Sequence, residues 1–256
     1  MPIPEHFLAL LLLAPFALYF IVRLTQYFLR KALGKDVPVD KEMIKKEQSF
    51  LLGRTLRQIF AFSAIPIQCF LQARGVNPDL LTLANLVFSI LAAALIGIKF
   101  VSLGGVVALL GSSLDYLDGR LARDSGRASL AGNFLDSTID RYADIALLSG
   151  VALLFRDSVL MLIVCLLGIG STAVISYTRA KAESLGYDLR VGLMQRPERI
   201  VLFCTGAILT PIIDPLLPSS MQGVYAVFAG TVLFLTILTT ITAVHRTLAG
   251  YVALRR

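Results

Sequence analysis

The chain has 256 residues, of which 56% are hydrophobic and only 16% charged, with a formal net charge of +7. Soluble domains run near 25% charged, so a mean hydropathy of +0.76 excludes an ordinary water-soluble globule and asks for a bilayer as solvent.

Apolar runs near residues 7–29, 80–98, 101–121, 133–155, 159–180, 198–213 and 222–244 each approach the ~20 residues a helix needs to cross the hydrocarbon core. The fold class that follows is all-α, a polytopic membrane protein. The first run, "FLALLLLAPFALYFIV", has no basic segment before it and no small-residue cleavage site before Arg23. It reads as a retained membrane helix rather than a secretory signal, with a helix lying in the interface as the alternative.

A polar linker dense in Lys and Glu follows, closing a first unit over residues 1–46. Residues 47–76 carry Arg54 and Arg57 on one side of an otherwise apolar stretch. That pattern suits an amphipathic helix along the membrane surface, the alternative being a short span broken at Pro66. "GVNPD" then turns the chain at Asn77 and Pro78, and residues 77–256 hold six apolar helices with short connections. Short connections make consecutive helices antiparallel neighbours.

Basic residues set the orientation. If residues 30–76 are cytoplasmic, the outward loops at 99–102, 155–158 and 214–221 carry only Lys99 and Arg156. Every other Lys and Arg lies in inward segments or near inward helix ends, the positive-inside pattern. The net positive charge therefore reads as topology and contact with anionic lipid, not as nucleic-acid binding. Cys69, Cys165 and Cys204 are scattered in apolar surroundings and show no metal-ligand spacing or disulfide framework. His6 and His245 stand alone near helix ends, which reads as interfacial placement.

Against this apolar background, "DYLDGRLARDSGRASLAGNFLDSTID" places Asp115, Asp118, Asp136 and Asp140 in two pairs. Positions three or four apart share one helix face, so each pair aims one way. The short link between the pairs returns the chain to the same membrane side, and antiparallel packing can bring them together. Like charges in a partly dry cleft repel, and burying even one costs several kcal/mol. Divalent cations answer both problems, because hard cations take oxygen ligands and neutralise the cluster. Two ions sharing a carboxylate would clamp a phosphate undergoing displacement. Gly119 lets a ligand approach the backbone, Ala122 keeps the wall low, and Arg123 offers a planar fork to phosphate oxygens. The bland alternative is a salt-bridged seam between helices, such as Asp140 with Arg141 or Arg123.

The run Asp-x2-Asp-Gly-x2-Ala-Arg-x8-Gly-x3-Asp-x3-Asp from Asp115 to Asp140 resembles the signature of the CDP-alcohol phosphotransferase family. The likeness covers about residues 50 to 250 and includes "GVNPDLLT" as the lead into the first family helix. It implies a six-transmembrane-helix core, a homodimer, an active site facing the cytoplasm in the inner or plasma membrane, and two Mg²⁺ or Mn²⁺ ions. It also implies cleavage of a CDP-linked donor with release of CMP. By that resemblance Asp115, Asp118 and Asp136 would be metal ligands. Asp140 would lie near the metals and act as general base on the acceptor hydroxyl. Gly119, Ala122, Arg123 and Gly132 would line the nucleotide site, with Asn77, Asp79 and Thr82 nearby and Ser129 where the family often has Thr.

A second basic block, "SYTRAKAESLGYDLRVGLMQRPERIVL", brings Arg179, Lys181, Arg196 and Arg199 to the same side. Snorkelling and topology explain such cations without function. The functional reading is a second phosphate site for an acceptor that is itself phosphorylated. The block, with Ser137 and Arg141 in "LDSTIDRYAD", is similar to the branch that makes phosphatidylinositol phosphate or its archaeal ether-lipid counterpart. The implied reaction joins CDP-diacylglycerol to inositol 1-phosphate, with glycerol 3-phosphate as the alternative acceptor. A cation transporter would use the four Asp as an ion site, but it calls for broken helices and inverted repeats that the sequence lacks. A silent lipid-binding protein would have no need of all four acids and Arg123.

Overall fold

The computed structural model describes residues 5–34, 53–189, 191–192, 194–218 and 223–255. Their regular structure is helical throughout: α1 (Glu5–Ala32), α2 (Arg54–Ala73), α3 (Pro78–Gly97), α4 (Val101–Asp124), α5 (Leu130–Leu154), α6 (Val159–Ser184), α7 (Arg196–Ile213) and α8 (Ala226–Leu254). A 3-10 turn, Asp214–Leu216, follows α7.

Local chemistry explains where these helices begin. Asn77 accepts a hydrogen bond from the Asp79 N–H at 3.2 Å, and Pro78 sits in the first turn of α3, where its missing N–H costs nothing. Ser129 caps α5 by accepting from the Gly132 N–H at 3.0 Å. Glu198 reaches back to the Gln195 N–H at 2.9 Å and opens α7. At the far end Asp214 receives the Ala226 and Val227 N–H groups at 3.1 and 3.0 Å, which starts α8.

Among the described residues, five helices are long and apolar enough to cross a membrane: Phe7–Ala32, Pro78–Gly97, Val159–Ser184, Arg196–Leu216 and Ala226–Leu254, the fourth continuing through the 3-10 turn. Helices α4 and α5 occupy the other two apolar runs of the sequence. Asp, Ser and Gly dilute their hydropathy, because these two hold the acidic motif. Helix α2 runs through Pro66 within a single helix. Residues 47–52 and the polar linker from residue 35 lie outside the described residues, as does the side chain of His6.

The packing differs from simple neighbour-to-neighbour order. Helix α3 packs against both α4 and α5, so the two acidic helices meet chiefly across it. Helix α7 lies on α4 and α8, and α6 lies on α8. The common core gathers Ile96, Val101, Val151, Cys165, Ala207 and Phe228, all buried. Cys165 and Cys204 are packing residues here, while Cys69 is exposed. Small residues permit the tightest crossings, as in other membrane bundles. A Cβ on Gly105 would stand 2.7 Å from the Ala207 Cβ, joining α4 to α7.

Outside this core, α1 leans on α2 through a polar and aromatic stripe. The Tyr27 hydroxyl donates to Gln58 Oε1 at 2.9 Å, and Arg23 donates to the Phe62 carbonyl at 2.6 Å. Helix α2 in turn holds α4, whose Arg120 donates to the Ala61 carbonyl at 3.0 Å.

The α3–α5 crossing is the least forgiving. A Cβ on Gly150 would lie 2.5 Å from the Ala93 carbonyl oxygen and 2.6 Å from the Ala93 Cα. Backbone must move to relieve that clash, which puts the cost at the upper end of about 1–3 kcal/mol. Alanine returns about 1 kcal/mol of helix propensity, less than the clash removes. Gly150→Ala should therefore lower the thermal unfolding midpoint of the detergent-purified protein. An unchanged midpoint would show that α3 and α5 can part without loss.

Candidate active site

The acidic residues converge at the end of the bundle where α4 finishes and α5 begins. Oxygens of Asp115, Asp118 and Asp136 all lie within 4.8 Å of one another. Asp118 is buried and its Oδ2 accepts the Thr82 hydroxyl at 2.6 Å. Asn85, fully buried on the same face of α3, donates to Asp115 Oδ1 at 3.3 Å. Its own Oδ1 accepts from Ser89 at 3.4 Å. The wedge helix α3 thus fixes one oxygen on each carboxylate of the α4 pair.

The donor set fits a hard divalent ion. It consists of oxygens alone, and opposite ligands around such an ion stand about 4–5 Å apart. Asp140 lies one turn beyond Asp136 and engages differently. Its Oδ1 is 2.7 Å from Arg196 Nη1. The same nitrogen is 2.7 Å from Asp115 Oδ2.

Arg196 therefore sits inside the carboxylate cluster, where the sequence places it only on the same side of the membrane. It is the nearest thing to the salt-bridged seam, yet the seam's cation comes from α7. Arg141 turns instead to the Ser137 carbonyl of its own helix. Arg199, one turn along α7, is 3.3 Å from Asp144 Oδ2. Asp115, Asp140 and Asp144 contact the two guanidiniums, and Asp118 and Asp136 lie beside Asp115, so carboxylates outnumber these two cations. Negative charge is in excess, as cation binding requires.

The nucleotide-lining candidates gather around the motif loop. A Cβ on Gly132 would meet Ser129 Oγ at 3.2 Å and Asp79 Oδ1 at 3.5 Å, so the start of α3 and the start of α5 touch there. Asn77 caps the same turn of α3. Gly119 has Arg123 Nη1 beside it, 3.3 Å from where a Cβ would stand. Ala122 is half-buried and Arg123 exposed on the last turn of α4. Of the other basic candidates, Arg179 is exposed and pairs with Glu183 at 2.9 Å. Lys181 is exposed on the last turn of α6.

Sequence reading missed three participants. Asp144 continues the four-residue spacing of Asp136 and Asp140 on one face of α5, a signal that was available. Asn85 had no signal, because nothing in a run of apolar residues marks a polar side chain as facing a carboxylate. Arg246 on α8 donates to the Val191 and Ile175 carbonyls at 2.8 and 3.1 Å. It ties α8 to α6 and to the loop before α7.

The chain is similar to several known proteins. The family model described as CDP-alcohol phosphatidyltransferase matches residues 75–242. A phosphatidylinositol phosphate synthase of Streptomyces avermitilis is 38% identical over 61% of this chain, a match spanning 66% of that relative. An archaetidylinositol phosphate synthase of Pyrococcus horikoshii is 40% identical over 52% of this chain and 69% of its own length. Among solved structures, the phosphatidylinositol phosphate synthase of Mycobacterium tuberculosis with CDP-DAG bound superposes with a TM-score of 0.62 at 30% identity, covering 73% of this chain and 92% of that one. The same protein in complex with manganese and citrate gives 0.63 at 29% identity, covering 73% and 88%. A match over most of the bundle, carrying the complete acidic signature, makes this chain a member of the CDP-alcohol phosphatidyltransferase family.

Proposed function

We propose that the chain transfers a phosphatidyl group from CDP-diacylglycerol to inositol 1-phosphate, giving phosphatidylinositol phosphate and CMP. The observation that carries this reading is the meeting of Asp115, Asp118 and Asp136 within 4.8 Å, in a chain whose relatives bear inositol phosphate synthase names. Two Mg²⁺ or Mn²⁺ ions held by Asp115, Asp118, Asp136 and Asp140 would neutralise pyrophosphate charge when bound. Asn77, Asp79, Thr82, Asp115, Gly119, Ala122, Arg123, Ser129 and Gly132 line the nucleotide end. The acceptor oxygen forms a bond to the lipid-side phosphorus, and the bond from that phosphorus to CMP breaks. The hydroxyl proton passes to the Asp140 carboxylate, which Arg196 orients at 2.7 Å. Arg179, Lys181, Arg196 and Arg199 receive the acceptor's own phosphate.

In this reading residues 77–256 do the chemistry, α2 lies along the membrane surface, and the acidic end faces the cytoplasm. Two copies pair in the bilayer, leaving each site open to its lipid substrate. Glycerol 3-phosphate shares the phosphate that these cations recognise, so a CMP-release assay across an acceptor panel separates the two.

Exhaustive chelation should abolish CMP release, and Mg²⁺ or Mn²⁺ should restore it. Asp118→Asn removes charge at constant volume and should also abolish turnover while the protein stays folded. Full turnover of either the chelated enzyme or the variant would contradict a metal held by these carboxylates.

Each charged contact to the acceptor phosphate contributes about 1.5–3 kcal/mol. Lys181→Ala and Arg199→Ala, assayed separately, should thus raise the acceptor KM about ten- to a hundredfold with a smaller effect on CDP-diacylglycerol. Unphosphorylated inositol proving the better acceptor would overturn the assignment.

A further inference from the structure

We propose that Asp144 is a positioning residue that aims Arg196 and Arg199 at the acceptor's phosphate, a proposal that rests on the phosphorylated-acceptor reading above. Asp144 lies one turn beyond Asp140 on α5 and outside the acidic signature of the sequence. Its two oxygens are divided between two guanidiniums: Oδ1 is 3.6 Å from Arg196 Nε, and Oδ2 is 3.3 Å from Arg199 Nη2. Arg199 Nη1 also donates to the Thr172 hydroxyl on α6 at 3.4 Å. The side chains of Asp144 and Arg199 are each only 13% exposed, so these contacts are made away from bulk water.

Three physical arguments give the carboxylate its task. Arg196 and Arg199 stand three residues apart on the first turn of α7, so their like charges are neighbours on one face. A carboxylate touching both is what makes that pairing tolerable in a poorly solvated site. A guanidinium also carries five N–H donors in a rigid plane; Asp144 accepts from Arg199 Nη2 at 3.3 Å and lies 3.6 Å from Arg196 Nε, an ion-pair distance longer than a hydrogen bond. The remaining donors are thereby held in fixed directions where a phosphate can meet them. Finally, Arg196 has a competing attraction to Asp115 and Asp140, each at 2.7 Å. Without Asp144 that pull is unopposed, and the cation is drawn toward the motif carboxylates and away from the acceptor. Asp144 is absent from the group of carboxylates close enough to share an ion, so its removal leaves that group whole.

The test uses the full-length purified enzyme, with initial rates of CMP release measured against inositol 1-phosphate and CDP-diacylglycerol in turn. Mn²⁺ affinity is read separately by electron paramagnetic resonance without substrate. Asp144→Asn should raise the acceptor KM about tenfold, as loss of an outer partner does for other oriented ligands. The KM for CDP-diacylglycerol and the Mn²⁺ affinity should not change, and Asp144→Glu should recover part of the loss. An unchanged acceptor KM overturns the proposal. So does a parallel fall in Mn²⁺ affinity, which would make Asp144 a member of the metal cluster. Should Asp144→Asn not fold, Asp144→Glu decides alone: a rise confined to the acceptor KM supports the proposal, and no rise overturns it. Arg199→Ala separates the two levels. If it raises the acceptor KM and Asp144→Asn does not, only the role of Asp144 fails. If it too leaves the acceptor KM unchanged, the phosphorylated-acceptor reading has failed and the proposal with it.

Discussion

Carboxylates gathered at one end of an apolar bundle repel one another, and the neighbouring helices are arranged to offset that repulsion. Two like charges 4 Å apart repel by about 4 kcal/mol at an effective dielectric of 20. Asp115, Asp118 and Asp136 come within 4.8 Å of one another, so the cluster spends a sizeable part of the stability a domain has. The fold meets this cost in two ways. Helix α3, wedged between the acidic helices, turns Thr82 and Asn85 toward Asp118 and Asp115. Helix α7 brings Arg196 within 2.7 Å of both Asp115 and Asp140. What remains is still net negative, and an oxygen-rich, net-negative cleft is what a hard divalent cation requires.

The two kinds of positive charge divide the work by shape. A divalent ion is compact and takes several carboxylate oxygens at once, which suits the converging tips of Asp115, Asp118 and Asp136. A guanidinium is planar and directional, which suits bidentate contact with phosphate. Arg196 stands among Asp115 and Asp140, each at 2.7 Å, and Asp144 at 3.6 Å. Helix α7, which carries Arg196, packs tightly on α4, with Gly105 against Ala207. A looser crossing would let the cation drift relative to Asp115. A transporter reading has no use for this arrangement, and membership of a transferase family sets it aside.

Much of this was legible in the sequence, and the limits have physical causes. The helix starts at Asn77 and Ser129 follow from capping chemistry, which is local. The acidic pairs announced themselves because charge is rare in an apolar chain. Short loops, however, suggested that α4 and α5 would pack directly on each other. Loop length fixes direction, not neighbours, and α3 came to lie between them. The location of Arg196 was equally out of reach. Its attraction to Asp115 spans 81 residues, and no pattern along the chain distinguishes a cation that enters the acidic cleft from one that snorkels. Asp144 was within reach through its spacing from Asp140. Asp144 lies beyond the four acids that complete the motif, so only its spacing marks it.

If transfer depends on a divalent ion, Asp115, Asp118 and Asp136 are the residues placed to hold it. Anomalous diffraction at the manganese edge, from crystals grown with Mn²⁺ and CDP-diacylglycerol, tests it most directly. Anomalous density is expected among these three carboxylates, touching the pyrophosphate of the bound lipid. Density confined to another place, or none in crystals where the nucleotide is plainly bound, would contradict it.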